Sequence, residues 1–305
     1  MCKPSINTIS DVNIYNAIAE VSNAPTNTPI ASPMTASTTP SAMSLAADIK
    51  KTYPIIRSYG IACFQKNKQG KLQVMMVRRR NSYEFAEFVL CKYTNKNIPV
   101  HIFDRMFPEE KLDLLTLDFS RLWYRLYLDK DGQDPSYMRK KNKFERNFLF
   151  DGGSRLISMI QNSKNKIPSE LWELPKGRRR RDHHRRTYDE SELECAIREF
   201  EEETGIKKSY YKVYPDIHNT YTFTDYGITY VCKYFLAIAN SAFIPEDINF
   251  ANRVQIKEIS CIRWLAIEYI RIISRIESNT PSNLEKFMHP LFKRAKKLIL
   301  GRIKY

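Results

Sequence analysis

Alternating hydrophobic and polar positions predict two groups of β-strands in this chain. In the first group, residues 57–64 and 72–78 are strand-like runs separated by a polar turn, which predicts a hairpin. The second group follows residue 205 and contains four further strand-like runs, at 210–214, 220–223, 228–238 and 259–265. Both groups are expected to form the sheet of one α/β domain.

The stretch between the two groups has the periodicity of helices. Apolar residues recur at helical spacing from residue 82 to 163, and Pro108-Glu109-Glu110 is typical of a helix start. We therefore predict an α/β fold in which the main domain, 51–81 and 164–305, is interrupted by a helical insertion domain, 82–163. Residues 1–50, rich in Ala, Ser, Thr and Pro, offer little to bury and are predicted to be a disordered tail.

A helix that follows the insertion is predicted to begin near residue 192. Ser191, followed three residues later by Glu194, forms a capping box. Gly205 suits the positive φ with which helices commonly end. The helix between these signals carries the most informative residues of the chain.

Three glutamates of this helix are expected to share one face. Glu199, Glu202 and Glu203 are three or four residues apart, so their carboxylates project together. Clustered carboxylates repel one another unless a cation lies among them, and oxygen ligands suit Mg²⁺ or Mn²⁺. We expect Arg198 to pair with Glu190 and to orient the cluster. The alternative is a solvated acidic helix face.

The residues around this helix resemble the Nudix box, whose pattern is G-x5-E-x7-R-E-U-x-E-E-x-G-U with U apolar. The second half matches without a gap from Glu190 to Ile206. In the first half, twelve residues rather than five separate Gly177 from Glu190, so the loop that enters the helix is longer. The resemblance implies a Nudix α/β/α sandwich with a mixed sheet, in which Gly177 helps to orient the site.

A wider stretch, about residues 52–272, resembles the mRNA-decapping Nudix enzymes of large DNA viruses, of the poxvirus and African swine fever virus type. The resemblance rests on Ser58-Tyr59-Gly60-Ile61, on the segment RRNSYEFAEF at 79–88, and on the helical insertion before the box. It implies hydrolysis of the 5′ cap of mRNA, releasing 7-methyl-GDP and 5′-monophosphate RNA. It also implies that Glu199, Glu202 and Glu203 are catalytic metal ligands and that Glu258, before a strand ending in tryptophan, is the general base.

Cap hydrolysis requires groups that bind the phosphates and the methylated base. Lys176 and Arg178, at the start of an arginine-rich loop, are candidates for the phosphates. Aromatic faces on both sides of a cationic base attract it, and a carboxylate can bind its edge. The candidates for the base are Tyr83 or Phe85, Tyr226 or Tyr230, and Asp225. The alternatives are core packing for each aromatic and a turn for Asp225.

The net charge favours an anionic partner such as capped mRNA. Lysine and arginine number 49 against 34 acidic residues, which gives 49 − 34 = +15. No apolar run approaches the roughly 18 residues of a membrane-spanning helix. Scattered cysteines without a CxxC pair are typical of an intracellular protein. We expect a cytoplasmic protein, in the infected host cell if it is viral, with the virion as a further location.

Two other functions stay open. The same metal site and the arginine-rich loop suit diphosphoinositol polyphosphates or dinucleoside polyphosphates. A catalytically inert RNA-binding protein is the second alternative, although the complete set of glutamates argues against it. The sequence does not indicate protein partners.

Overall fold

A computed structural model describes residues 54–93, 101–128, 135–164, 171–180, 190–225, 227–240, 248–270 and 284–301. The predicted disordered tail, 1–50, lies outside the described residues. Within these ranges, no helix combines the length and apolar character needed to cross a bilayer. Residues 53–305 form one compact unit, and the division into domains at 82 and 163 stays a prediction.

The order of elements follows the sequence pattern. Among the described residues, strands β1 and β2 form the first hairpin and are followed by six helices, and the later strands are interspersed with further helices. The elements are β1 (Ile55–Lys66), β2 (Leu72–Arg79), α1 (Tyr83–Val89), α2 (His101–Asp104), α3 (Pro108–Thr116), α4 (Phe119–Tyr127), α5 (Tyr137–Phe148), α6 (Ser154–Gln161), β3 (Trp172–Glu173), β4 (Lys176–Gly177), α7 (Glu192–Thr204), β5 (Tyr211–Asp225), β6 (Ile228–Ala239), α8 (Arg253–Glu258), β7 (Ile259–Ala266) and α9 (Leu284–Ile299).

The strands form one mixed sheet with helices on both faces. The strand order is β3-β2-β1-β6-β5, with β4 paired to β1 and β7 paired to β2; only the β1–β6 pair among these is parallel. Successive residues of a strand point to opposite faces. Ile61 of β1 therefore packs in a core with Phe200 of α7, whereas Phe64 packs in a second core with Leu291 of α9. The predicted α/β/α sandwich is confirmed.

Two elements differ from the predicted pattern. Of the predicted strands 210–214 and 220–223, all residues except Tyr210 belong to one strand, β5. Its pairing register shifts between Tyr214 and His218, where Pro215 cannot donate a ladder hydrogen bond. The helix that begins at Pro108 ends at Thr116, and a new one begins because the side chain of Asp118 accepts a hydrogen bond from the backbone N–H of Arg121, 2.9 Å away.

Helices α1–α6 surround a hydrophobic cluster of their own. Phe88 of α1 lies at its centre, and its ring centroid is 5.1 Å from that of Phe103 and 4.9 Å from that of Phe148. The basic helix α5 contributes Phe144 and Phe148 to this cluster. The aromatic residues of the stretch therefore form a core of their own between β2 and β3.

A buried carboxylate in α3 holds the start of α1. Glu110 is fully buried and accepts hydrogen bonds from the backbone N–H of Ser82 at 2.7 Å, from the Ser82 hydroxyl at 2.5 Å and from the backbone N–H of Phe107 at 2.8 Å. Ser82 is the N-cap of α1, since its hydroxyl accepts from the N–H of Phe85. Glu110 thus fixes the position of the N-terminus of α1, just after the end of β2.

Replacing Glu110 by glutamine is expected to destabilise the protein by about 1–3 kcal/mol, because an amide has one acceptor oxygen and its NH₂ group would face a buried N–H donor. Chemical denaturation measures the change. Glu109→Gln is the matched control, since Glu109 is the neighbouring, exposed residue of the same helix. Equal stability of the two variants would contradict the assigned role of Glu110.

Candidate active site

Helix α7 presents its apolar side to the sheet and its acidic side to the loop that precedes it. As predicted, Ser191 and Glu194 form the capping box, and Gly205, with φ of 74°, ends the helix. Cys195 and Phe200 are buried against the sheet. The packing of these side chains on the sheet therefore fixes the position of the helix, and with it the backbone of the glutamates.

Arg198 lies at the centre of the acidic cluster. Its Nε and Nη2 donate to the two carboxylate oxygens of Glu190, at 2.6 and 3.0 Å. Its Nη1 donates to Glu199 at 2.6 Å and to Glu202 at 3.0 Å. The hydrogen bonds from Arg198 hold the pKa of Glu190 below its ordinary value. The pair of Arg198 and Glu190 expected from the sequence is present.

The loop that enters α7 folds back onto the helix. The backbone N–H of Arg180 donates to Glu190 at 2.9 Å, and its guanidinium donates to Glu202 at 2.6 Å. The carbonyl of Arg178 accepts from Arg198 at 2.9 Å. The first residues of the longer loop thus reach the acidic cluster, while residues 181–189 lie outside the described part of the chain.

Gly177 lies directly against the carboxylate of Glu199. A Cβ added at Gly177 would overlap the carboxylate carbon and both of its oxygens. No positive φ is involved, so it is the space occupied by Glu199 that requires glycine at this position. This contact joins the loop to the helix at one of the candidate metal ligands.

Glu203 is buried behind the other two glutamates. One of its carboxylate oxygens accepts from the backbone N–H of Lys176 at 3.1 Å. Burial raises the pKa of Glu203 well above its ordinary value, and the charges of Glu173 and Glu258 raise it further. Burial also raises the pKa of Glu199. Carboxylates that destabilise one another in this way are stabilised by a cation.

The donor set fits a divalent cation in chemical type, since it consists of carboxylate oxygens and includes a buried one with a raised pKa. Glu199 and Glu202 both pair with Arg198, which also pairs with Glu190, so its single charge offsets only part of theirs. Among the described residues, no three His, Cys, Asp or Glu side chains are gathered closely enough to enclose a metal ion. Each of the two glutamates bonds Arg198 through only one of its carboxylate oxygens.

Glu258 is the last residue of α8 and precedes β7. Its side chain is exposed, and its charge raises the pKa values of both Glu199 and Glu203. The candidate general base is therefore close enough for its charge to act on Glu199 and Glu203.

A second charged group, which sequence reasoning missed in part, adjoins Glu203. Glu173 accepts from Lys176 at 2.6 Å and from Arg79 at 3.1 Å. Burial alone would raise the pKa of Glu173, but the charges of Lys176 and Arg79 lower it to about 2. The only sequence signal was the spacing of Glu173 and Lys176, three residues apart before Gly177. Nothing in the sequence linked them to Arg79.

Tyr83 connects this group to the helical insertion. Its hydroxyl lies 3.1 Å from the Lys176 ammonium and 3.1 Å from a Glu173 oxygen. The Arg79 guanidinium lies 4.1 Å from the centre of its ring, which is 43% exposed. Phe85 differs, since its side chain is completely buried in the hydrophobic cluster of helices α1–α6. Phe85 is therefore not available to stack on a base, and the expectation for this residue is corrected.

The remaining candidates for base binding lie at the β5–β6 hairpin. Asp225 ends β5 and accepts from Arg105 at 2.8 Å. Tyr230 of β6 stacks on Phe223, with ring centroids 4.9 Å apart. Asp225 lies two residues after Phe223, the residue that pairs with Tyr230 across the hairpin, and burial raises the pKa of Tyr230. Tyr226 lies outside the described residues.

Similarity to known proteins agrees with this geometry. Residues 146–285 match the NUDIX domain family model. The chain is 35% identical over 238 residues to the mRNA-decapping protein g5R of African swine fever virus (a warthog isolate from Namibia). This alignment covers 76% of this chain and 92% of that protein. This chain belongs to the Nudix family.

Further matches differ in strength. The g5R protein of a Kenyan pig isolate of the same virus is 34% identical over 238 residues, again 76% of this chain and 92% of that protein. The crystal structure of a C. elegans Ap4A hydrolase complex aligns with a TM-score of 0.38 and 15% identity, over 81% of this chain and 98% of that one. That similarity is too low to carry an argument about this chain.

The Nudix box can now be traced in the structure. Its second half is helix α7, and its first glycine, Gly177, lies in β4, which pairs with β1. The longer loop between Gly177 and Glu190 leaves the contact between Gly177 and Glu199 intact. Nudix hydrolases act with divalent cations. The carboxylates of α7 that suit such cations lie on this helix in the box's own spacing.

Proposed function

We propose that this protein hydrolyses the 5′ cap of mRNA, releasing 7-methyl-GDP and RNA with a 5′-monophosphate. The observation that carries the proposal is the acidic cluster of the Nudix helix, in which Arg198 holds Glu190, Glu199 and Glu202 while the buried Glu203 bonds the backbone N–H of Lys176. Similarity to viral mRNA-decapping proteins over most of their length supports capped mRNA as the substrate.

In this proposal, Glu199, Glu202 and Glu203 hold Mg²⁺ or Mn²⁺, which when bound offsets the charge of the phosphates and lowers the pKa of water. Glu258 takes the proton of the attacking water. The water oxygen forms a bond to phosphorus, and the bridging P–O bond between the second and third phosphates, counted from methylguanosine, breaks. Arg198 and Glu190 orient the glutamates, and Gly177 leaves room for Glu199.

The groups for substrate binding lie around this centre. Lys176 and Arg178 are proposed to bind phosphates, although Lys176 must then share its charge with Glu173. Tyr83 and Tyr230 are proposed to stack on the methylated base, and Asp225 to bind its edge. Arg79 already covers one face of Tyr83, so a base would use the other face.

The relatives reported above are proteins of a virus, which supports a site of action in infected cells. We propose the cytoplasm of an infected cell, with packaging in the virion as a further possibility to be tested by fractionating purified particles.

Whether the cation is Mg²⁺ or Mn²⁺ is decided by comparing rates of cap hydrolysis with each metal at equal concentration.

The experiment that tests the function compares several substrates. The purified protein is incubated with Mn²⁺ and RNA labelled in its cap phosphates, and in parallel with free cap dinucleotide, a dinucleoside polyphosphate and diphosphoinositol pentakisphosphate. Release of labelled 7-methyl-GDP from RNA supports decapping. Cleavage of only the inositol compound or the dinucleoside polyphosphate would establish the alternative hydrolase, and RNA binding without any cleavage would establish the inert RNA-binding protein.

A further inference from the structure

One arginine of the helical region bridges two carboxylates that belong to different elements. Arg105 lies between α2 and α3 and donates from Nε to Glu84 at 3.1 Å and from Nη1 to Asp225 at 2.8 Å. The exposed fraction of the side chain is 24% for Arg105, 16% for Glu84 and 25% for Asp225. Half-buried charges of this kind are screened less by water than those of a surface ion pair.

The bridge requires an arginine. A guanidinium presents donors in a rigid planar arrangement and can hold one carboxylate at Nε and another at Nη1, whereas an ammonium is a single point charge on a flexible stem. Glu84 and Asp225 repel each other, and burial raises the pKa of Glu84. Removing Arg105 would therefore leave two half-buried carboxylates close together without their shared cation.

The bridge also connects the two sides of the proposed base site. Glu84 follows Tyr83 in the first turn of α1, and Asp225 ends the strand that pairs with Tyr230 of β6. The charges of both Asp225 and Arg105 act on the Tyr230 hydroxyl. One guanidinium thus sets the position of the Tyr83 helix relative to the hairpin that carries Asp225.

We propose that Arg105 is a positioning residue for cap recognition, which aims the Asp225 carboxylate at the guanine edge and so sets the preference for a methylated cap. This inference rests on the proposed function. Arg105 donates to Oδ2 of Asp225 at 2.8 Å and thereby fixes the orientation of that carboxylate at the end of β5. A carboxylate held in place at the guanine edge attracts the cationic methylated base more strongly than the neutral one, so a displaced Asp225 would lose that preference.

The test measures binding and hydrolysis by Arg105→Ala and Arg105→Lys. Arg105→Ala is expected to raise KM for capped RNA about tenfold, equivalent to about 1.4 kcal/mol, while kcat changes by less than about twofold. The ratio of kcat/KM for methylated over unmethylated caps should fall with it. Arg105→Lys should raise KM for capped RNA at least about threefold, since an ammonium cannot hold both carboxylates.

A double variant and a matched control separate positioning from a general loss of structure. If Arg105 acts through Asp225, then adding Arg105→Ala to Asp225→Ala should raise KM no further. Arg121→Ala is the control, since Arg121 lies in the same helical region, is 72% exposed and pairs only at 3.9 Å with Asp118. It should behave like the unmodified protein.

Several outcomes would overturn the inference. One is an unchanged KM in Arg105→Lys, and another is a fall in kcat at constant KM. A third is an unchanged preference for methylated caps in Arg105→Ala. The fourth is a double variant whose rise in KM is the product of the rises in the two single variants. Should Arg105→Ala fail to fold, Arg105→Lys alone decides. Affinity for 7-methyl-GDP, measured by calorimetry on the intact protein, does not depend on hydrolysis. Failure of the unmodified protein to release 7-methyl-GDP would instead count against the proposed function.

Discussion

Replacing Glu202 by glutamine is expected to slow cap hydrolysis by about 10³-fold, because it removes one charge from the cluster that holds the cation at the phosphates. The fold should persist, since Glu202 keeps 29% of its side-chain exposure and contributes to neither core. Single-turnover hydrolysis of cap-labelled RNA measures the rate, and thermal unfolding measures the stability.

Glu201→Gln is the matched control for this experiment. Glu201 is the neighbouring residue of α7, but its carboxylate points to Lys207, at 3.2 Å, and to the backbone N–H of Lys208. Its replacement should leave the rate within about threefold of the unmodified protein. Because a cation that binds only the folded state raises the melting temperature, Mn²⁺ should stabilise the unmodified protein and Glu201→Gln more than Glu202→Gln. Equal activity of the two variants would refute the assignment of Glu202.

Replacing Gly177 by alanine is expected to lower the rate by about 10²-fold while changing stability by less than about 1 kcal/mol. The added methyl group would overlap the Glu199 carboxylate, which is the end of a flexible side chain and can swing aside at little cost in folding energy. The carboxylate would then be lost from the catalytic cluster. Rate and melting temperature are measured on the same preparation.

Two further variants establish the cause of that loss. In a Glu199→Ala background the clash is absent, so Gly177→Ala should slow hydrolysis no further. Gly60→Ala offers a contrast, because its methyl group would overlap the backbone carbonyl of Pro175, which cannot move aside easily. That variant should be clearly less stable. A Gly177→Ala protein that hydrolyses caps at the normal rate would show that the position of Glu199 is unimportant.

Local elements were predictable because their signals lie within a few residues of one another. The capping box of Ser191 and Glu194 and the stop at Gly205 located helix α7 correctly. The strand prediction was wrong where a single irregularity intervened, since a register shift beside Pro215 joins two predicted strands into β5. The helix start at Pro108 was located correctly, whereas the second start, capped by Asp118, was not predicted.

The sequence by itself determined the Nudix helix and the face that its glutamates share, since helical spacing places residues three and four apart together. Only the tertiary structure decided which partners those glutamates and their neighbours have. Arg79 lies 94 positions before Glu173, and Arg105 lies 120 positions before Asp225, yet each pair is in contact. Burial likewise removed Phe85 from the candidates while leaving Tyr83 exposed. Such contacts depend on how the helices pack against the sheet, and no local pattern of residues encodes that packing.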